Sequence, residues 1–122
     1  MLLTGKWINQ NGSVLHIDVV NNDQQVVGRF ESKKGRSAVG TEYPMVGVRN
    51  GELLSLLVDF RTADVNLASI TAFSGRLEAT ADGKVLHTQW ILARQFEDSD
   101  QTNPTQPWNT FLTNADVFHF VS

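Results

Sequence analysis

Cysteine is absent from the 122 residues. With it go disulfide staples, thiolate nucleophiles and cysteine-based metal sites, so stability has to come from packing or assembly. Long apolar runs are missing too: no window approaches the roughly 20 residues that a membrane-spanning helix needs. The opening "MLLTGKW" lacks the basic and long apolar regions of a signal peptide, so the chain reads as cytosolic or as a mature secreted form carrying an initiator Met. Excess charge is the third absence. The formal net charge is −3 and the pI about 5.5, with Lys and Arg scattered rather than striped, which gives no footprint for nucleic acid or an anionic membrane. At this length residues 1–122 are expected to form a single domain with its own core.

Catalytic and metal signatures are lacking as well. His16, His87 and His119 take the outward parity of their segments, with no carboxylate or second His at ligand spacing, so no metal site is expected. No Gly-x-Ser-x-Gly elbow occurs and no histidine shares a face with Ser13, Ser32 or Ser69, so the chain is not expected to be an enzyme.

What the chain does have is period-two alternation. "VLHIDVV" sets Leu15, Ile17 and Val19 against His16 and Asp18, and "GKVLHTQWILA" sets Leu86, Thr88, Trp90 and Leu92 against His87, Gln89 and Ile91. Turn-forming clusters divide it into eight strand candidates: residues 5–10, 13–21, 24–32, 43–49, 52–60, 67–78, 84–93 and 110–121. "RNGE" and "ADGK" carry Asn-Gly and Asp-Gly at their centres, which links consecutive strands antiparallel. The expected fold is therefore all-β, an eight-stranded antiparallel up-and-down β-barrel, whose interior is wide enough for side chains or for one small ligand. Only "PTQPWNT" reads as a helical turn.

The parity that carries the large apolar residues also collects polar ones. Asn9, Ser13, Ser32, Ser69, Thr71 and Asp116 fall toward one end of the barrel once alternate strands are read in opposite directions. Apolar residues, with Trp7 and Phe118, fill the other end. Burying such groups without partners costs roughly 1–3 kcal/mol each, more in sum than a small domain can spare. Water, mutual hydrogen bonds or a compact polar ligand could satisfy them. Phe60, Phe73 and Trp90 share the inward parity and supply the apolar walls of a small-molecule site. Outward-facing Val14, Val20, Leu57, Ile70 and Ile91 leave more apolar surface than a solitary barrel would expose, so a homo-oligomer is expected. Trp108, on a polar loop after Pro104 and Pro107, marks an interface.

The segments "TGKWINQNGS", "GRFESKKG", "NLASITAFSGR", "LHTQWILA" and "PWNTFLTNADVFHF" occur in the order and near the spacing of the avidins and streptavidins. The chain resembles that family over nearly its whole length. The resemblance implies a secreted, biotin-binding barrel that takes biotin as a ligand and uses no cofactor. It implies Asn9 and Ser13 at the ureido oxygen, with Phe30 where a tyrosine is usual, and Asp116 and Ser32 at the ureido N–H groups. Thr71 would face the thioether sulfur, and Ser69 would bond the valeryl carboxylate, helped by the loop of Lys34 and Arg36. Phe60, Phe73, Trp90 and Leu92 would wall the ring, and Trp108 would be lent to a neighbouring subunit of a tetramer or dimer.

Four departures from the family pattern bear on affinity. Phe30 removes a phenolic donor, Phe60 replaces a family tryptophan, Asn11 stands where leucine is usual, and Arg36 stands where streptavidin has an asparagine that helps hold the carboxylate. Biotin binding weaker than that of the strongest members is the expectation. The competing readings are an avidin-like domain that has lost biotin and serves assembly or adhesion, and a lipocalin-type carrier. A lipocalin is usually longer, often disulfide-stapled and lined almost wholly by apolar side chains.

Overall fold

The computed structural model describes residues 1–33 and 40–122. Eight strands follow in chain order: β1 (Gly5–Asn9), β2 (Val14–Val20), β3 (Gln25–Glu31), β4 (Glu42–Asn50), β5 (Leu53–Arg61), β6 (Asn66–Thr80), β7 (Gly83–Arg94) and β8 (Phe111–Phe120). Each pairs antiparallel with the next, and β8 pairs with β1, so the sheet closes as a barrel without free edges. A single 3₁₀ turn, Pro107–Thr110, precedes β8. It lies where the "PTQPWNT" segment was expected to turn, with proline preorganising its first position.

The hairpin turns sit one residue from the expected centres. Asn50 pairs with Leu53 and Thr80 with Gly83, which places Gly51–Glu52 and Ala81–Asp82 in the two-residue loops. Gly51, at φ 60°, takes the left-handed conformation that opens the first of them.

One end of the barrel is closed by apolar packing. Trp7 is fully buried, its indole N–H donates to the Leu3 carbonyl at 2.9 Å, and Leu15, Leu77, Leu86 and Phe118 complete the plug. Lys84 seals the outside: its ammonium donates to Leu2 O at 2.7 Å and lies 3.8 Å from the Phe120 ring centroid. The opposite end, formed by the β1–β2, β5–β6 and β7–β8 connections, carries the polar set.

Four inward or outward assignments change. Val19 is exposed, because the β2–β3 register shifts between Ile17 and Val19 and turns Val20 toward the core instead. Asn114 is exposed although its parity points inward: β1 reaches only to the level of Phe118, so the first half of β8 has no β1 strand beside it. Val14, expected outside, is buried. Leu57, Ile70 and Ile91 do face outward, each about half exposed.

On the outer face Arg29 ties strands together. Its Nε and Nη2 donate to both Asp18 oxygens at 3.0 Å, and Nη1 donates to Glu42 at 2.7 Å. The guanidinium's hydrogen bonds hold the Asp18 carboxyl below its ordinary value. A depressed carboxyl contributes stability above its unfolded pKa of about 4, and that contribution is lost as pH falls through the lower folded value. Arg29→Met is therefore expected to flatten the acid side of a melting-temperature profile below about pH 4, leaving its shape near neutrality unchanged; the effect is small because both groups are exposed. Inside, Gly28 allows β2 and β3 to approach closely: a Cβ there would overlap the His16 carbonyl oxygen and stand 2.8 Å from Met45 Cε. Gly28→Ala is expected to destabilise the barrel by about 2 kcal/mol or more in urea unfolding.

Candidate ligand-binding site

The polar cup is built outward from the β1–β2 turn. Asn9 ends β1, and its side-chain oxygen accepts the backbone N–H groups of Asn11 at 3.0 Å and Ser13 at 2.8 Å. That pattern fixes which way the amide faces, since the nitrogen must point away from the turn. Its Nδ2 donates to Asp116 Oδ2 at 3.1 Å, across the seam between the first strand and the last. Asn9 and Asp116 are each only 7% exposed.

Ser13 is buried, and its Oγ accepts the Lys33 N–H at 2.9 Å. With its acceptor engaged, the hydroxyl proton is left to donate. Asp116 receives a second donor that had not been singled out from the sequence. Gln10 Nε2 reaches Asp116 Oδ1 at 2.9 Å, while Gln10 Oε1 accepts the Val117 N–H at 3.0 Å. The carboxylate is thus held by one amide on each oxygen, with lone pairs to spare on both. Thr88 Oγ1 donates to the Asp116 carbonyl at 2.9 Å and fixes the backbone beneath.

The walls are aromatic. Phe30 meets Phe60 and Phe73 edge to face at centroid separations of 6.2 and 5.8 Å, and Tyr43 meets Phe60 at 5.0 Å. Tyr43, cross-strand from Phe30 and 1% exposed, is the second residue that sequence reading left out. The period-two pattern Tyr43, Met45, Gly47 in β4 was the available signal. Trp90 pairs with Phe73, and Leu92 with Thr71, so those rungs continue the wall toward the rim. Among the described residues the buried Trp90 indole nitrogen has no hydrogen-bond partner, an unmet donor of the kind a bound acceptor would relieve.

The remaining expected site residues divide as follows. Thr71 is buried, whereas Ser32 and Ser69 are half-buried nearer the rim. Trp108 lies on the 3₁₀ turn and is 68% exposed, free for contact with another molecule. Lys34 and Arg36 lie outside the described residues. Among the described residues no group of three or more metal-ligating side chains comes together. What the mouth offers is a buried carboxylate bonded to the Asn9 amide, the buried Ser13 hydroxyl on the turn that follows, and aromatic walls. That arrangement complements a small planar group with an acceptor at one end and donors at the other.

The Avidin family model matches residues 1–121. Afifavidin of Afifella pfennigii is 30% identical over 114 residues, 93% of this chain and 71% of that protein. Avidin-related protein 4/5 of Gallus gallus is 30% identical over 99 residues, 79% of this chain and 65% of that protein. Among solved structures, apo shwanavidin superposes with a TM-score of 0.82 at 25% identity, covering 98% of this chain and all of the other. The fold matches in topology as well as in extent.

Because Asn9 satisfies two turn N–H groups besides the carboxylate, Asn9→Ala is expected to cost about 2 kcal/mol of folding stability, ligand or no ligand. Urea denaturation of the purified protein checks it.

Proposed function

The chain belongs to the avidin family, and from that premise we propose that it is a non-catalytic biotin-binding protein, one barrel domain over residues 1–122, holding the ureido ring in its polar mouth. The observation that carries the reading is the cluster of Asn9, Ser13 and Asp116, whose two free donors and doubly braced carboxylate complement a cyclic urea. Short afifavidin has been crystallised with biotin. The Asn9 amide and the Ser13 hydroxyl donate to the ureido oxygen, and Asp116 and Ser32 accept from its nitrogens. Thr71 faces the ring sulfur, and Ser69 meets the carboxylate with help from the loop of Lys34 and Arg36. Phe60, Phe73, Trp90 and Leu92 enclose the bicycle.

Phe30 leaves the ureido oxygen with one donor fewer than a tyrosine would give, so affinity falls below that of the strongest family members. The second reading, a barrel that has lost biotin and serves assembly or adhesion, draws on the same place. Phe30, Phe60 and Tyr43 are each at most 8% exposed and pack against one another, filling part of the wall with the protein's own bulk.

Assembly follows from the exterior. Val27, Val46, Leu57, Ala72 and Ile91 are successive cross-strand partners, an exposed apolar row over five strands. A self-complementary dimer buries it, and a tetramer built from such dimers shares Trp108 between subunits. By family habit the protein is secreted.

Titration calorimetry tests the reading: biotin is expected to release heat and raise the melting temperature. Asp116→Ala should weaken binding about a hundredfold by removing a charge-assisted bond, and Phe30→Tyr should strengthen it by several-fold to about tenfold. Neither heat nor a thermal shift with excess biotin would retire the proposal in favour of the second reading.

A further inference from the structure

Beyond the ureido cup, the barrel rim carries a cation that neither the motifs nor the family resemblance assigns. Arg94 is the last residue of β7, on the same parity as Trp90 and Leu92, and it pairs directly with Ser69 across the β6–β7 ladder. Directly opposed residues of an antiparallel pair have Cβ atoms about 5 Å apart on one face, so hydroxyl and guanidinium stem share one spot on the rim. Arg94 is half-buried, and two of its nitrogens are committed to loop carbonyls: Nε to Asn109 O at 2.9 Å and Nη1 to Glu97 O at 3.3 Å. The head group is thereby held in place, and among the described residues no partner takes up the donors of its Nη2. No carboxylate pairs with Arg94 among the described residues, in contrast to Arg29, Arg49 and Arg61, each of which has an acidic partner.

The backbone beside it is specialised. Ala68, immediately before Ser69, has φ 51°, a left-handed conformation that alanine rarely adopts. It is pinned from two sides: its N–H donates to the Asn66 side chain at 2.8 Å, and its carbonyl accepts the Gln95 N–H at 2.9 Å. Ser69 and Arg94 also border a rim cleft of about 330 Å³ that opens on the outer face beside Ile70 and Ala93, where Asp59 is occupied by Arg61 at 3.0 Å. The net result is a positive, donor-rich spot.

Distance connects this spot to the cup. The Ser69–Arg94 rung lies one same-face step, about 7 Å, beyond the Thr71–Leu92 rung. That step is about the length of an extended five-carbon acid tail whose ring sits at Thr71. Resting on the biotin-binding reading above, we infer that Arg94 is a specificity residue that reads the ligand's tail as a free carboxylate, so that the site favours biotin acid over its amide conjugates. A carboxylate offers two charged acceptor oxygens there, whereas an amide offers one neutral carbonyl oxygen and sets its N–H donors against a guanidinium that can only donate.

The experiment is competition calorimetry of biotin against biotinamide, with the intact protein and with Arg94→Gln and Arg94→Lys, each checked for an unaltered melting transition. The acid is expected to bind about tenfold tighter than the amide, with the preference shrinking as salt is raised. Arg94→Gln should bring the ratio close to one, and Arg94→Lys should retain a preference for the acid. Equal binding of acid and amide by the intact protein, or an acid preference that survives Arg94→Gln, would overturn the inference and pass the tail to other groups such as Lys34 or Arg36. A loss equal for both ligands in Arg94→Gln, with the ratio intact, would also overturn it and leave Arg94 as a tether of the Trp108 loop. Failure of both ligands to bind the intact protein would instead bring down the biotin reading on which it rests.

Discussion

The hydrogen bond from Asn9 to Asp116 joins the first strand to the last, 107 residues apart in sequence, at the level where the barrel changes from plug to cup. A carboxylate with 7% exposure is tolerable only when hydrogen-bonded, because an unpartnered buried charge costs several kcal/mol. Here it is engaged by amides on both oxygens, from Asn9 inside the seam and Gln10 outside it. The two amides are sequence neighbours, Asn9 the last residue of β1 and Gln10 the first of the turn after it, so one dipeptide holds both oxygens of the β8 carboxylate. Closure of the barrel and creation of its polar mouth are consequences of the same pair of contacts.

That arrangement separates stability from recognition along the barrel axis. Trp7, Leu86 and Phe118, none of them measurably exposed, supply the apolar burial that folds the chain. Aromatic rings carry the interior from there to the mouth: Phe118 meets Phe73, Phe73 meets Phe30, and Phe30 meets Phe60. The wall of the cup is continuous with the core and inherits its rigidity, while Asn9, Gln10 and Ser13 are anchored by backbone N–H groups and the two amides in turn hold the carboxylate. A site of this kind is organised before any ligand arrives, which lowers the entropic cost of binding.

Much of this was legible in the sequence, and the exceptions have identifiable causes. The eight strands lie within two residues of their expected ends because alternation and turn chemistry agree at nearly every boundary. Inward parity placed Asn9, Ser13, Thr71 and Asp116 among the buried residues for the same reason. Val19 failed because a bulge leaves no mark in a run of valines, and Asn114 failed because strand parity says nothing about how far a neighbouring strand extends. Gln10 and Arg94 carry no signal in the sequence: their importance lies in distant partners, Asp116 and the Asn109 carbonyl, which no local pattern encodes.

The central claim is geometrical: that the Asn9, Ser13 and Asp116 side chains form one recognition surface for a cyclic urea. A crystal structure of the protein with biotin measures it most directly. In that complex the ureido oxygen is expected within hydrogen-bond reach of the Asn9 amide and Ser13 hydroxyl, with a ring N–H donating to an Asp116 carboxylate still braced by Gln10. Biotin seated elsewhere on the barrel, or an Asp116 carboxylate turned away from the ring, would contradict it.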